Sequence, residues 1–270
     1  GAKIAVIGVG ATSAVITGGG SAYTHPWQTV SLLDTVKALA GDATVTYEMG
    51  HDPWQGDKAF AASTFTTPDG ASGVRAEYFN NLDVAGDPVL TQTEGDLNRA
   101  WYNKPIEPGV NKDCFSVRWT GVIRPEKSGE HLFFLGVADG EYRLTVGETV
   151  LADTWGNENP SPKEVTMTLE AGVDYPFVAE YRRLRHWNAF RMGWQHTEAK
   201  QALHDAALQA ARDADLVIMT AGHTAKSEGE GFDRTFAMPA ENEQLLLDIA
   251  AANPNTVVVL TGGGNIDMRR

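Results

Sequence analysis

The strongest constraint in this chain is a change of hydrophobic period along its length. In the middle, Phe115, Val117, Trp119, Gly121 and Ile123 alternate with Ser116, Arg118, Thr120, Val122 and Arg124. Phe190, Met192 and Trp194 repeat the pattern, as do Tyr175, Phe177, Ala179 and Tyr181. A period of two puts alternate side chains on opposite faces of a strand, so these runs predict antiparallel strands with one buried face. Turns such as Lys127-Ser128-Gly129 and Asp139-Gly140 separate them. Five of the seven Trp fall between residues 73 and 196, and the area an aromatic ring buries makes sandwich core their first reading.

The two ends of the chain have another texture. Lys3–Gly8 is a short apolar run with polar flanks, as in a buried parallel strand. Val30, Leu33, Val36 and Leu39 recur at three-residue steps and predict one helix face, ended by Gly41, before a strand over Thr44–Tyr47. Later, Ala199–Ala214 is rich in helix formers, Asp215–Ala221 predicts a strand, Glu241–Ala252 a helix and Thr256–Thr261 a strand. Strand, helix, strand at this spacing implies parallel pairing. The expected fold class is therefore α/β: an open, mostly parallel sheet sandwiched by helices, incomplete, and interrupted by an inserted antiparallel β-sandwich. The expected boundaries are 1–68 and 197–270 for the α/β parts and 73–196 for the insert. Ala61–Gly73, small, polar and turn-rich, reads as the linker between them.

Charge and cysteine content narrow the function. The 270 residues carry 22 Lys and Arg against 35 Asp and Glu, a net charge of −13. Phosphate contacts need clustered cations, so neither nucleic acid nor an anionic membrane is an expected partner. Cys114 is alone, which excludes an internal disulfide, a CxxC redox pair and a cysteine-rich zinc site. The seven His form no metal-ligand spacing, and neither a GxSxG elbow nor a Walker sequence is present. No metal and no cofactor are expected. The start reads as a core strand rather than a leader, and both ends read as cut from something larger, so the compartment stays open.

Three glycine-rich stretches could carry function. Gly8-Val9-Gly10-Ala11-Thr12-Ser13 half-matches a dinucleotide fingerprint, but a true one runs straight into a helix, and here Gly18-Gly19-Gly20-Ser21-Ala22 intervenes. That second stretch reads, on residue types alone, as a long turn. Ser227-Glu228-Gly229-Glu230-Gly231-Phe232-Asp233-Arg234 follows the strand Asp215–Ala221. Ligands of open α/β sheets bind outside the carboxyl ends of their strands, which is where this loop belongs. Read from composition it fits a solvated acidic loop; read from position it fits a site in which Asp233 and Arg234 hold the loop through charge-assisted bonds. His223 reads first as a structural residue and second as a donor to a sugar hydroxyl. Glu228 and Glu230 cannot by themselves form a retaining glycosidase pair. Its two carboxyls lie about 5–5.5 Å apart across a sugar ring, whereas residues i and i+2 of an extended segment point the same way.

Taken together, KIAVIG, the GGGSA loop, DLVIMTAG followed by SEGEGFDR, and Asn253-Pro254-Asn255 running into Thr256–Val259 resemble glycoside hydrolase family 3 β-glucosidases in order and spacing. The middle resembles the protective-antigen-type (PA-14-like) sandwich inserted in some members. The resemblance implies a retaining, exo-acting hydrolase acting on a β-glucoside or short oligosaccharide. It also implies that the nucleophilic Asp sits on a (β/α)8 barrel absent here, while this part lends the acid/base Glu. Carried onto this sequence, the landmarks Gly222 and Pro239 place the acid/base at Glu228, while an EGxDR pattern favours Glu230. Gly19, Gly20, Ser21, Asp233 and Arg234 would help shape the sugar site. The missing barrel, in the same protein or a companion chain, is the implied partner, and a homo-oligomer is compatible. Calcium-dependent lectin forms of the sandwich use adjacent aspartates, whereas Val137-Ala138-Asp139-Gly140 holds one, so calcium is not expected. The alternative is a carbohydrate-binding module without catalysis, with Trp155, Trp187 or Trp101 as stacking platforms. A third reading, a nucleotide-binding protein, predicts stabilisation by NAD or ATP, which is not expected.

Overall fold

A computed structural model describes residues 1–12, 24–53, 55–101, 107–157, 163–184, 188–230 and 234–269, the side chains of 55 and 60–62 excepted. The chain begins β1 (Lys3–Ile7), α1 (Leu32–Leu39), β2 (Thr44–Glu48) and α2 (Gln55–Ala62). Ten strands come next: β3 (Val74–Phe79), β4 (Leu90–Glu94), β5 (Leu97–Ala100), β6 (Ser116–Ile123), β7 (Gly129–Ala138), β8 (Gly140–Val146), β9 (Thr149–Asp153), β10 (Lys163–Leu169), β11 (Tyr175–Arg183) and β12 (Ala189–His196). It closes with α3 (Glu198–Asp213), β13 (Leu216–Gly222), α4 (Ala240–Ala252) and β14 (Thr256–Thr261). Two compact units result, one from Gly1–Trp54 with Glu198–Arg270, the other from Gln55–Thr197.

The first unit is a parallel sheet in the order β14-β13-β1-β2. Alternation along β1 assigns its two faces. Ala5 and Ile7 join Val217 and Met219 under Ala207 and Ala211 of α3 and Leu245 and Ile249 of α4. Ile4 and Val6 face the other way, toward Leu33 and Val36 of α1. Helices thus cover both faces. α1 is shorter than its three-residue pattern suggests. Steps of three residues fall behind a 3.6-residue turn by about 60° each, so only the middle of such a series can share a face. Leu33 is buried, whereas Val30 and Leu39 are 61% and 80% exposed. Ser31 starts the helix, its side chain accepting from the Asp34 N–H.

Gly8 explains the first glycine stretch. It has φ 106°, and a Cβ there would lie 2.4 Å from the Thr220 carbonyl oxygen. The glycine lets β1 leave the sheet against β13. The next residues, Val9–Ala11, form a short 3-10 turn rather than a helix that could hold a pyrophosphate.

The second unit is a sandwich of a six-stranded sheet, β4-β3-β6-β11-β8-β9, and a four-stranded sheet, β10-β7-β12-β5. Its pairings are antiparallel throughout. Trp119, Tyr142, Phe177, Tyr181 and Phe190 fill the space between them. Gly121 keeps the inward rhythm of β6 without a side chain, because a Cβ would meet the Phe177 ring at 2.7 Å. α2 falls in this unit: Ala59 packs on Leu132 and Phe134 of β7. Thr66 then bridges to Ser72 and Val122. The stretch 61–73 therefore contains the end of a packed helix and sandwich backbone, and the division between units comes at Trp54/Gln55. Short side chains and turn residues made this stretch read as a linker.

One polar cluster inside the sandwich had no sequence signal. Glu94, 4% exposed, accepts Tyr78 Oη at 2.6 Å and Gln92 Nε2 at 2.9 Å on one oxygen, and Arg99 Nε and Trp119 Nε1 at 2.8 Å on the other. Four donors satisfy a buried carboxylate that would otherwise be costly. Burial and the Glu94 charge push the Tyr78 phenol well above its ordinary value.

Candidate functional site

In a parallel sheet all strands end on one edge, so the loops after β1, β13 and β14 leave the first unit from the same side. After β13, Gly222 has φ 120°, and a Cβ there would fall 2.0 Å from the Thr261 carbonyl oxygen. Its N–H donates to Asn242 Oδ1 of α4 at 2.7 Å, and the next N–H, of His223, donates to Thr261 O at 2.9 Å. The chain then folds into a tight turn in which the Ser227 and Glu228 N–H groups both donate to Thr224 O at 2.9 Å. Ser227 Oγ accepts from the Thr224 N–H at 3.1 Å. The segment before Glu228 is thus a turn.

This turn brings Glu228 and Arg234 together. Arg234 Nε lies 2.8 Å from Glu228 Oε2, with their side chains 16% and 24% exposed. The contact is an ion pair rather than an aligned hydrogen bond, and Oε2 is occluded from solvent with no hydrogen-bond donor aligned on it among the described residues. The other oxygen, Oε1, accepts from the Gly263 N–H. Arg234 in turn donates through Nη1 to Thr235 O at 3.1 Å and Asn265 O at 3.0 Å. His223, 5% exposed, places Nδ1 3.1 Å from Ser227 Oγ and Nε2 3.4 Å from Arg234 Nη1. Burial first, and the Arg234 charge second, hold its imidazole below the ordinary value; the Glu228 charge opposes them.

Gly262-Gly263-Gly264, after β14, was missed in the sequence. A Cβ on Gly263 would meet Glu228 Oε1 at 2.1 Å, and one on Gly264 would meet Arg234 Nη2 at 3.0 Å. The available signal was three glycines at the end of a parallel strand beside β13, the same logic that singled out the Glu228 loop. Of the other expected site residues, Glu230 is exposed in the same loop. Gly19, Gly20, Ser21 and Asp233 lie outside the described residues.

The proposed stacking platforms fare differently. Trp101 is 8% exposed and stacks at 6.3 Å on Trp119 and edge-on at 5.2 Å to Phe115, so it belongs to the core. Trp155 carries the guanidinium carbons of Arg143 and Arg182 at 4.2 and 4.8 Å from its ring centroid. Those arginines pair with Asp153 and Glu141. Trp187 lies outside the described residues. Among the described residues, no group of three or more His, Cys, Asp or Glu could hold a metal, and no helix is long and apolar enough to cross a membrane.

Residues 70–206 match the PA14 domain family. The chain belongs to that family. The PA14 match covers most of the sandwich and runs on into α3. Over 98% of its length the chain is also similar to a β-glucosidase of Rhizobium radiobacter, at 31% identity, and to a probable β-glucosidase I of Aspergillus terreus, at 27%. It spans 33% and 34% of those two proteins, about a third of their length. A solved β-glucosidase from Kluyveromyces marxianus shares the fold over 98% of this chain and 34% of its own, with a TM-score of 0.58 at 22% identity. The similarity therefore runs through both the PA14 unit and the parallel-sheet unit of this chain.

Proposed function

We propose that this chain is part of a retaining, exo-acting β-glucosidase of glycoside hydrolase family 3, in which it contributes the acid/base carboxylate and the PA14 unit caps the substrate cleft. The observation that carries the reading is Glu228 itself. It stands beyond the carboxyl end of β13, fixed by a guanidinium on one oxygen and a backbone N–H on the other. The substrate is a terminal β-D-glucosyl residue of a glucoside or short oligosaccharide. The nucleophilic Asp belongs to a (β/α)8 barrel that partners this chain.

The division of labour comes from two-step hydrolysis. The barrel Asp attacks the anomeric carbon while Glu228 gives a proton to the departing oxygen. Glu228, now a carboxylate, then takes a proton from the water that releases the sugar. Arg234 and the Gly263 N–H fix the direction of the carboxyl group. Glu230, in the same loop, is the alternative acid/base. Asp233, Gly19, Gly20 and Ser21 complete the sugar site in this proposal.

The reading predicts that the 270-residue chain alone does not hydrolyse an aryl β-glucoside, and that adding the barrel confers turnover. Robust turnover by the chain alone would place a nucleophile within these residues and overturn the division. A carbohydrate-binding module without catalysis is the weaker alternative. Trp101 is core, which removes one of its three platforms, and the Trp155 ring already carries two guanidinium groups.

A further inference from the structure

We infer that Asn242 is a positioning residue for the loop after β13, which it holds by the loop's first peptide. The inference rests on the reading that this loop supplies the acid/base carboxylate, and it stands whether that carboxylate is Glu228 or Glu230.

Asn242 occupies a place where an apolar side chain is expected. Leu245 and Ile249 form the buried face of α4, and Asn242, three and seven residues before them, continues that face at 5% exposure. Burying an amide there is unfavourable unless it is hydrogen-bonded. Its usual partner at this point of a helix is missing. A polar side chain on the third helical residue ordinarily reaches back to the N–H of the capping residue. The capping residue here is Pro239, which has no N–H. The Asn242 amide oxygen instead accepts from the Gly222 N–H at 2.7 Å, twenty residues back in the chain.

Gly222 is the point at which the loop leaves the sheet. β1 pairs with β13 only as far as Ile7 against Met219, then turns away at Gly8, so a side chain from α4 takes the Gly222 N–H. The next N–H, of His223, is held by Thr261 O of β14. Two successive N–H groups are thus fixed, one by a helix and one by a strand. The turn that follows is built on them, with Thr224 O accepting from the Ser227 and Glu228 N–H groups. Gly222 sits at φ 120°, and glycine has the widest backbone freedom of any residue, so an untied peptide here can swing. Arg234 is tied separately, to Asn265 O beyond β14. The loss of Asn242 Oδ1 therefore falls on the first half of the loop, which carries the carboxylates. A catalytic group displaced by about 1 Å loses on the order of a hundredfold in rate.

The test uses the complete enzyme, this chain with its barrel, as wild type, Asn242→Leu, Asn242→Asp and the double variant Glu228→Ala/Glu230→Ala. Leu fills the space but accepts nothing; Asp returns an oxygen at the same reach. kcat/KM is compared for aryl β-glucosides with poor and good leaving groups. It reads the step in which the acid protonates the departing oxygen, and the poor leaving group depends most on that proton. Asn242→Leu should lower kcat/KM at least about tenfold for the poor leaving group and by no more than about threefold for the good one. Asn242→Asp should recover most of the loss. A merely structural role would lower both substrates by one factor. Equal losses, or none, beside a double variant inactive on the poor leaving group overturn the inference and leave the reading of the loop intact. Wild-type activity of the double variant overturns that reading instead.

Amide hydrogen exchange of the chain itself covers the case in which Asn242→Leu fails to fold. The Gly222 N–H should exchange about a hundredfold or more slower than an open amide, in wild type and in Asn242→Asp alike. Exchange at the open rate overturns the inference.

Discussion

Arg234 Nε lies 2.8 Å from Glu228 Oε2 although five residues separate them in the loop after β13. The pair exists because loops from two neighbouring strands close on it: the turn after β13 carries Glu228, and Asn265 O and the Gly263 N–H, beyond β14, hold Arg234 and Glu228 respectively. Such a pair in a solvated loop would be worth little, because water screens it. Here both side chains are more than three-quarters covered, and the backbone bonds fix their direction.

The glycines of the two loops make opposite predictions. A Cβ on Gly263 would collide only with the tip of the Glu228 side chain. Gly263→Ala should therefore leave thermal stability within about 0.5 kcal/mol of wild type, as at most surface positions. It should lower turnover in the complete enzyme at least tenfold. A Cβ on Gly222 would collide with backbone, at a φ that side chains rarely adopt. Gly222→Ala should cost roughly 3 kcal/mol or more. Urea unfolding of the chain separates the two, and equal losses would contradict the account.

Glu94 makes a prediction about the PA14 unit. Replacing it with Leu leaves the Trp119, Tyr78 and Arg99 donors without their acceptor in a buried setting. Removing one partner of a buried ion pair costs about 3–5 kcal/mol. Glu94→Leu should lose about that much, read by the fluorescence of Trp119 on denaturation. Glu94→Gln, which keeps two acceptor lone pairs but brings a donor of its own, should lose less.

Acid should weaken the fold in a defined window. His51, His131 and His223 are all held below the ordinary value of 6.5, with burial the largest cause in each. Between their lowered values and 6.5, the unfolded chain binds more protons than the folded one. Stability then rises with pH across that window and levels off above 6.5 as far as these groups decide it. Unfolding free energy measured from about pH 5 to pH 8 should show that rise, and His131→Gln should flatten part of it. A profile that is level below 6.5 would contradict the assignment.

Much of the architecture was legible because burial imposes period. The alternation of Val117, Trp119 and Ile123 named the inner face of β6, and TVVVLT named β14 to the residue. The linker was misplaced because Ala61 and Ala62 look alike in a helix end and in a turn. The three-residue series at Val30–Leu39 overstated α1 because its period is not that of a helix. At the site, chain order pointed to Glu228 and Arg234, since a parallel sheet presents its loops at one edge. Sequence could not show that Gly263 lends its N–H, nor that the turn at Thr224 reverses the chain. Those depend on which backbone atoms a fold brings together, and glycine leaves no side-chain pattern to read.

The most direct measurement is chemical rescue of Glu228→Ala in the complete enzyme, using an aryl β-glucoside with a good leaving group and added azide. If Glu228 is the acid/base, the variant should form the glycosyl intermediate, stall for lack of a base, and regain turnover by giving a β-glucosyl azide. Glu230→Ala should show no such rescue. Wild-type turnover for Glu228→Ala, or rescue confined to Glu230→Ala, would contradict the assignment.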